Sequence, residues 1–250
     1  MANKKGIVVI GATSAIAEHC ARLWVEDAPI DLTLVGRDAG RVERVAADLR
    51  VRSPGSAIRA VEAEFLEPAA IQATVDSIFA RGPVDIVLIA HGSLPEQAVC
   101  QNDLAACREA LEVNGISPAL YAEAFAKHMA RANHGTLALI ASVAGDRGRK
   151  SNYVYGSAKG LLARYAQGLQ HRFARTGVKV VLIKLGPTDT PMTAHLKAKN
   201  AKLAPATGAA QVIVRSIAKG HSDIYAPKKW HLIMSIVRLL PKPIFHRLDI

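Results

Sequence analysis

The 250-residue chain is poor in cysteine, with three, and in aromatics, with five Phe, five Tyr and two Trp. It is also short of acid: 32 Lys and Arg against 21 Asp and Glu leave a formal net charge of +11. Each shortage excludes something. Cys20, Cys100 and Cys107 show no paired spacing, so neither a disulfide framework nor a zinc site is expected, no other metal site is expected, and the expected setting is reducing and cytoplasmic. No apolar run reaches the roughly 18 residues of a membrane span. The basic start, Met1 to Gly6, leads into an apolar run about one strand long, and no secretory signal is expected there. No Lys/Arg run is interleaved with stacking aromatics, so nucleic acid is not an expected partner. The positive charge is also uneven: from Arg147 to Lys202 there are twelve Lys or Arg and one acidic residue, Asp189. That stretch reads either as a solvated basic face or as an anion site. With half of its residues hydrophobic, 21% charged, and 18 Gly and 12 Pro, the chain is not disordered, collagenous or coiled-coil.

What is present is an alternation. Short apolar runs at Ile7–Ile10, Leu32–Val35, Ile86–Ala90, Thr136–Ala141 and Val178–Lys184 read as buried parallel strands, with Ile58–Val61 a weaker edge strand. Amphipathic segments lie between them, at Ile16–Glu26, Arg41–Arg50, Ala69–Ala80, Leu104–Arg131 and Tyr155–Thr176. This order predicts an α/β fold, a single-domain Rossmann-type doubly wound parallel sheet with helices on both faces. No repeat or linker divides residues 1–250. Two stretches break the rhythm: residues 187–205 read as a loop or lid over a site, and residues 227–250 as an amphipathic tail.

The first strand runs into Gly11-Ala12-Thr13-Ser14-Ala15-Ile16-Ala17 and then a helix. A tight small-residue turn lets the backbone approach a pyrophosphate, and the free N–H groups and dipole of the helix start receive it. Ala15 and Ala17 stand where a dinucleotide-binding turn usually has its second and third glycines. Ala17 falls where helix packs on sheet, whereas the Ala15 methyl is placed to crowd the phosphates. The second strand ends in Gly36-Arg37-Asp38. Arg37 occupies the place where a carboxylate would bind the ribose 2′-hydroxyl of NAD(H), so NADP(H) is preferred, with Asp38 beside it.

The sharpest signal is Tyr155-Gly156-Ser157-Ala158-Lys159. Tyr155 and Lys159, four apart, share one helix face. A nearby ammonium favours the phenolate and suits Tyr155 to acid/base work. Ser142, at the end of the preceding strand, is placed to hydrogen-bond a substrate oxygen. With these residues on this topology the chain resembles the short-chain dehydrogenase/reductase family over nearly its whole length. The resemblance implies reduction of a carbonyl with a nicotinamide cofactor by Ser142, Tyr155 and Lys159, with Asn114 ordering a proton-relay water. It implies cofactor contacts from Gly11, Thr13, Ser14, Ala15, Ile16, Arg37, Glu64, Phe65, Ala90, Gly92, Tyr155, Lys159, Gly186, Thr188 and Thr190. The family's Asn-Asn-Ala-Gly stretch reads Ile89-Ala90-His91-Gly92, and Pro187 follows Gly186 where the family has a proline before that glycine. The family also commonly forms homodimers and homotetramers.

The blocks Asn152–Ser157, Met192–Lys197 and Leu239–Phe245 are similar to the decaprenylphosphoryl-2-keto-pentose reductase branch, whose substrate is a keto-pentose linked through phosphate to a polyprenyl lipid. That resemblance implies an anionic keto-sugar, free or lipid-linked; the alternatives are another ketone (3-oxoacyl, steroid-like or alicyclic) or a non-catalytic cofactor-binding interaction protein. Arg147, Arg149 and Lys150 after Ser142, with Lys197, Lys199 and Lys202 of the lid, are candidates to receive a phosphate, and His195 a candidate to face the substrate beside Ser142. The apolar tail flanked by Lys228, Lys229, Arg238, Lys242 and Arg247 suits either peripheral contact with an anionic membrane or a subunit contact.

Overall fold

The computed structural model describes residues 4–198 and 201–248. The chain forms β1 (Lys5–Ile10), α1 (Ala15–Asp27), β2 (Ile30–Gly36), α2 (Ala39–Arg52), β3 (Ala57–Glu62), α3 (Pro68–Phe79) and β4 (Ile86–Ile89). Then come α4 (Gln97–Asn102), α5 (Leu104–Leu111), a π-helical turn at Glu112–Ile116, α6 (Ser117–Ala132), β5 (Gly135–Ser142), a 3-10 turn at Val143–Asp146, α7 (Tyr153–Phe173) and β6 (Val178–Leu185). The two-residue strands β7 (Thr188–Asp189) and β8 (Ala204–Pro205) bracket α8 (Ala194–Ala198). The last elements are α9 (Ala206–Lys219), β9 (Asp223–Ala226), α10 (Lys229–Leu239) and α11 (Lys242–Phe245).

Seven strands form one parallel sheet in the order β3-β2-β1-β4-β5-β6-β9. Successive side chains of a strand face opposite ways, and β1 shows it: Ile7 and Val9 join the core under α1, α2 and α9, while Val8 and Ile10 join the core under α3, α6 and α7. Both faces are covered, which is why these strands are continuous apolar runs rather than alternating ones. The Rossmann-type doubly wound architecture is therefore as expected, with Ala57–Glu62 on the edge. The strand order reverses between β1 and β4, which puts a crevice beyond their C-terminal ends.

Three details differ from the expectation. Leu104–Arg131 is not one regular helix: Pro118 has no N–H to give the carbonyl four residues back, and Ser117 N–H reaches Glu112 O instead, a π-type bond. The amphipathic α9, buried at Ala209, Ala210, Ile213 and Ile217, adds a helix beside α1. The short β9 closes the sheet on the far side. Within the stretch read as a loop or lid, residues 187–198 and 201–205 carry short elements, with β7 paired to β8. Among the described residues no helix is long and apolar enough to cross a membrane. On α10, Met234 is buried while Leu232, Ile236 and Leu239 are exposed.

The core under α6 holds large side chains, with Tyr121, Phe125 and Met129 all fully buried. Phe125→Ala removes a ring from this close-packed layer, and a loss of about 3–5 kcal/mol is expected in urea denaturation, with little change in the m-value.

Candidate active site

The crevice begins at Gly11. Its φ of 82° lies in the left-handed region, and a Cβ there would sit 2.6 Å from the His91 backbone nitrogen. Conformation and space both demand glycine. The Gly11 and Ala12 N–H groups donate to the Val35 carbonyl at 2.9 and 3.0 Å, tying the turn to β2. The first helical bond of α1 runs from Glu18 N–H to Ser14 O at 2.9 Å, so the amides of Ala15, Ile16 and Ala17 have no acceptor inside the helix. Gly11, Thr13, Ser14, Ala15 and Ile16 line a cleft of about 550 Å³. Ala17 is fully buried against the sheet, whereas Ala15 is part-exposed and faces the cleft. A diphosphate fits this turn: an N-terminal helix dipole, unpaired amides and a glycine-only close approach converge on it.

At the β2 end the cleft is lined by Arg37 and also by Arg41. The Asp38 side chain is engaged elsewhere: it caps α2, accepting from Arg41 N–H at 2.9 Å. Further along stand Phe65, Ala90, Gly92, Asn114, Ser142, Tyr155, Lys159, Gly186, Thr188 and Thr190, each on the lining. Among the described residues no carboxylate lines the cleft, while Arg37, Arg41, Arg149 and Lys159 do. The field inside it is positive, and anionic ligands are favoured there.

Ser142, Tyr155 and Lys159 come together at the end of β5 and the first turns of α7. The Ser142 hydroxyl accepts from Ala144 N–H at 3.1 Å and donates to Leu185 O at 3.3 Å. Lys159 is buried, its Nζ 3.3 Å from Ile140 O and 5.9 Å from the centre of the Tyr155 ring. Burial lowers its ammonium to about 8. Burial pushes the Tyr155 phenol up, and the Ser142 hydroxyl beside it pulls it back. Asn114 lies in the π-helical turn, fully buried. Its Oδ1 accepts from Ser93 N–H at 2.9 Å, and its Nδ2 donates to Ala110 O at 2.9 Å and Ser93 Oγ at 3.2 Å. The side chain thus fixes the loop after β4. A Cβ on Gly92 would fall 2.8 Å from Asn114 Oδ1 and 3.3 Å from Lys159 Nζ, so that loop must be bare where it crosses them.

Three expected contacts are not made. Arg147 does not reach the cleft: it donates to the carbonyls of Val237 and, at 2.7 Å, Leu240, and stacks 3.7 Å over the Phe245 ring, holding the end of α10. Those carbonyls are the unsatisfied C-terminal groups of a helix and attract a cation. His195 is exposed on α8, whose cleft-facing residue is Leu196. Glu64 folds back onto the Phe65 and Leu66 amides at 2.8 and 3.0 Å, which hold its carboxyl below the usual range, and it does not line the cleft. Of the lid cations, Lys197 pairs with Asp189 at 2.6 Å, Lys202 is exposed and Lys199 lies outside the described residues. Lys150 is exposed too. Arg149 does line the cleft.

Sequence reasoning did not single out Arg41, Ser93 or Trp230. Arg41 was legible in principle, one helical turn past Arg37. Trp230 was not: it reaches the cleft from α10, packed so closely on Gly186 that a Cβ there would lie 2.0 Å from the indole nitrogen.

A family model for short chain dehydrogenase matches residues 5–201, and the chain belongs to that family of dehydrogenase and reductase enzymes. It is 31% identical over 248 residues to an uncharacterized oxidoreductase of Streptomyces coelicolor, covering 98% of this chain and 96% of that one. It is 28% identical over 194 residues to cis-4-hydroxycyclohexanecarboxylate dehydrogenase of Sinomonas cyclohexanicum, covering 76% of each. Among solved structures, a short-chain dehydrogenase from Burkholderia cenocepacia in complex with NADP superposes with a TM-score of 0.83 at 16% identity, covering 99% of this chain and 98% of that one. One from Sphingobium yanoikuyae in complex with NADPH gives 0.81 at 20% identity, covering 95% and 97%. At such identities the likeness is one of fold.

His91 is the unusual group beside this machinery. Ser117 donates its hydroxyl proton to Phe65 O, so His91 Nε2–H donates to Ser117 Oγ, at 2.9 Å, and Nδ1 carries no proton and is buried without a partner. Burial, with the charges of Lys159 and Arg37, lowers the imidazole to about 3 from an ordinary 6.5. Between those values the unfolded chain holds a proton that the folded chain does not, so stability is lost as pH falls through that window. In His91→Phe this component is absent, and the variant's urea midpoint falls less than that of the wild type between pH 6.5 and pH 4. Parallel pH curves would contradict it.

Proposed function

We propose that the chain is an NADP(H)-dependent oxidoreductase that interconverts a ketone and a secondary alcohol. The observation that carries the reading is the convergence of Ser142, Tyr155 and Lys159 on the cleft that begins at the Gly11 turn. A nicotinamide bound in the cleft supplies or accepts the hydride. In reduction, Tyr155 gives its phenolic proton to the carbonyl oxygen while Ser142 hydrogen-bonds the same atom. Lys159, lowered by burial to about 8, is still mostly charged near neutral pH and can return a proton toward Tyr155. Thr188 and Thr190 line the end of the cleft beyond Gly186, where the carboxamide end of the nicotinamide would rest.

NADP(H) rather than NAD(H) is supported by Arg37 and Arg41 at the β2 end, with Asp38 turned into its helix cap. Two guanidinium groups and no competing carboxylate suit a 2′-phosphate. The NADP- and NADPH-bound proteins of the same fold agree in direction.

Two substrate readings have a specific support each. A keto-sugar carrying phosphate or lipid-phosphate is supported by the blocks around Asn152, Met192 and Leu239 and by the positive cleft. An alicyclic hydroxy acid is supported by the Sinomonas relative and by the apolar lining from Leu94, Val143, Met192, Leu196 and Trp230.

Tyr155→Phe tests the catalytic reading. It should cut NADPH-dependent ketone reduction by at least about a hundredfold, the usual worth of a positioned acid, while calorimetric NADPH affinity stays within about twofold. Turnover undiminished in that variant would overturn the assignment.

A further inference from the structure

The segment between Ser142 and Tyr155 carries an arrangement that neither the catalytic groups nor the fold uses. Asn152 occupies the N-cap position of α7, where an Asn side chain normally accepts from an amide of the first turn. It makes no capping hydrogen bond. Val154 N–H, one of those first-turn amides, goes instead to Gln97 Oε1 of α4 at 3.1 Å. The Asn152 amide oxygen is thereby released and is buried without a donor, on a residue that lines the cleft. Three residues earlier, Arg149 also lines the cleft. Its Nε is buried without an acceptor, burial lowers its guanidinium, and it forms no ion pair among the described residues. Nearby cations are all accounted for differently: Arg147 holds the end of α10, Lys197 pairs with Asp189, and Arg37 and Arg41 stand at the β2 end. A buried polar atom left unpaired is unfavourable, more so when charged, and here two fall within four residues, both on residues of the cleft lining.

The geometry points to a substrate-anion subsite made by Arg149 and Asn152, which takes a carboxylate or phosphate bearing a hydroxyl or other hydrogen-bond donor beside it. Arg149 supplies planar donors for the oxyanion, Asn152 accepts from the neighbouring donor, and the start of the 21-residue α7 adds its positive dipole end. The inference rests on the reading of the cleft as a reductase site and narrows its substrate to ketones that carry an anion. The apolar lining residues Leu94, Val143, Met192 and Trp230 supply surface for the carbon skeleton of such a ketone.

The test compares 4-oxocyclohexanecarboxylate, its methyl ester and 4-oxocyclohexyl phosphate as ketones in NADPH oxidation. Wild type is expected to prefer an anionic probe over the ester by about 30-fold or more in kcat/KM, mostly through KM, as for a binding contact made equally in ground and transition states. Arg149→Met should reduce that preference to within about threefold, leave the ester's kinetics within about twofold, and leave NADPH affinity unchanged; Arg149→Lys should restore part of the preference. The carboxylate and phosphate arms tell the two anion sources apart. A preference that survives in Arg149→Met, or an ester used as well as the acid by wild type, overturns the subsite. Calorimetry with 4-oxocyclohexanecarboxylate and with 4-oxocyclohexyl phosphate, in the presence of NADP, pairs a ketone with the oxidised cofactor and so supplies a readout without turnover. Anion binding weakened about tenfold or more in Arg149→Met supports the subsite even if no ketone is reduced, an outcome that sinks the reductase reading alone. Anion binding that is absent from wild type, or equal in the two proteins, overturns the subsite alone.

Discussion

Where β1 and β4 diverge, the Gly11 and His91 backbones pass so closely that any side chain on Gly11 would collide with His91 N and Cα. That contact follows from the reversal of strand order between the two strands, and the rest of the site hangs on it. It brings the α1 amides, the β4 loop and the ends of β5 and β6 to one crevice, so that groups far apart in sequence line one cleft. Asn114 and Gly92 lock the β4 loop against α7, and Ser142 and Lys159 follow at the floor. His91 stays neutral because burial of its ring, with the charges of Lys159 and Arg37, disfavours the protonated form.

Most polar side chains around the cleft are already committed to the protein, and that commitment separates scaffold from site. Asp38 caps α2, Glu64 folds onto its own loop, Asn114 clamps Ser93, and Arg147 seals the end of α10. Those left with unmet hydrogen-bonding capacity on the lining, Arg149 and Asn152 among them, are the ones a ligand can satisfy. The tail belongs to the site as well. Trp230 leans on Gly186, and Lys184, Asp146 and Tyr225 form a buried cluster that joins β6, the turn after Ser142 and β9.

Much of this was legible in the sequence. Continuous apolar runs such as Ile7–Ile10 and Val178–Lys184 announce strands covered on both faces, and Tyr155 with Lys159 announces a shared helix face, because both signals are local. The π-helical turn at Asn114 was not legible, since a proline one turn later shifts the hydrogen-bond ladder only by one partner. The short β9 was missed because four residues at a sheet edge carry little pattern, though α9 repeats its buried positions plainly. Arg147 and His195 were misplaced for one reason: both stand beside catalytic landmarks in sequence, yet their directions are set by the fold of α10 and α8. Charge and proximity along the chain do not say which cation is already paired.

The central claim is that the Gly11 crevice is a nicotinamide dinucleotide site selective for the 2′-phosphate. Calorimetric titration of the purified protein with NADPH and NADH tests it most directly. The proposed preference predicts NADPH bound at least about tenfold more tightly than NADH, the worth of one good charge-assisted pair, with the order reversed in Arg37→Asp. Failure of both nucleotides to bind would contradict the account at its root, because the turn carrying Ala15 would then not be a diphosphate cradle.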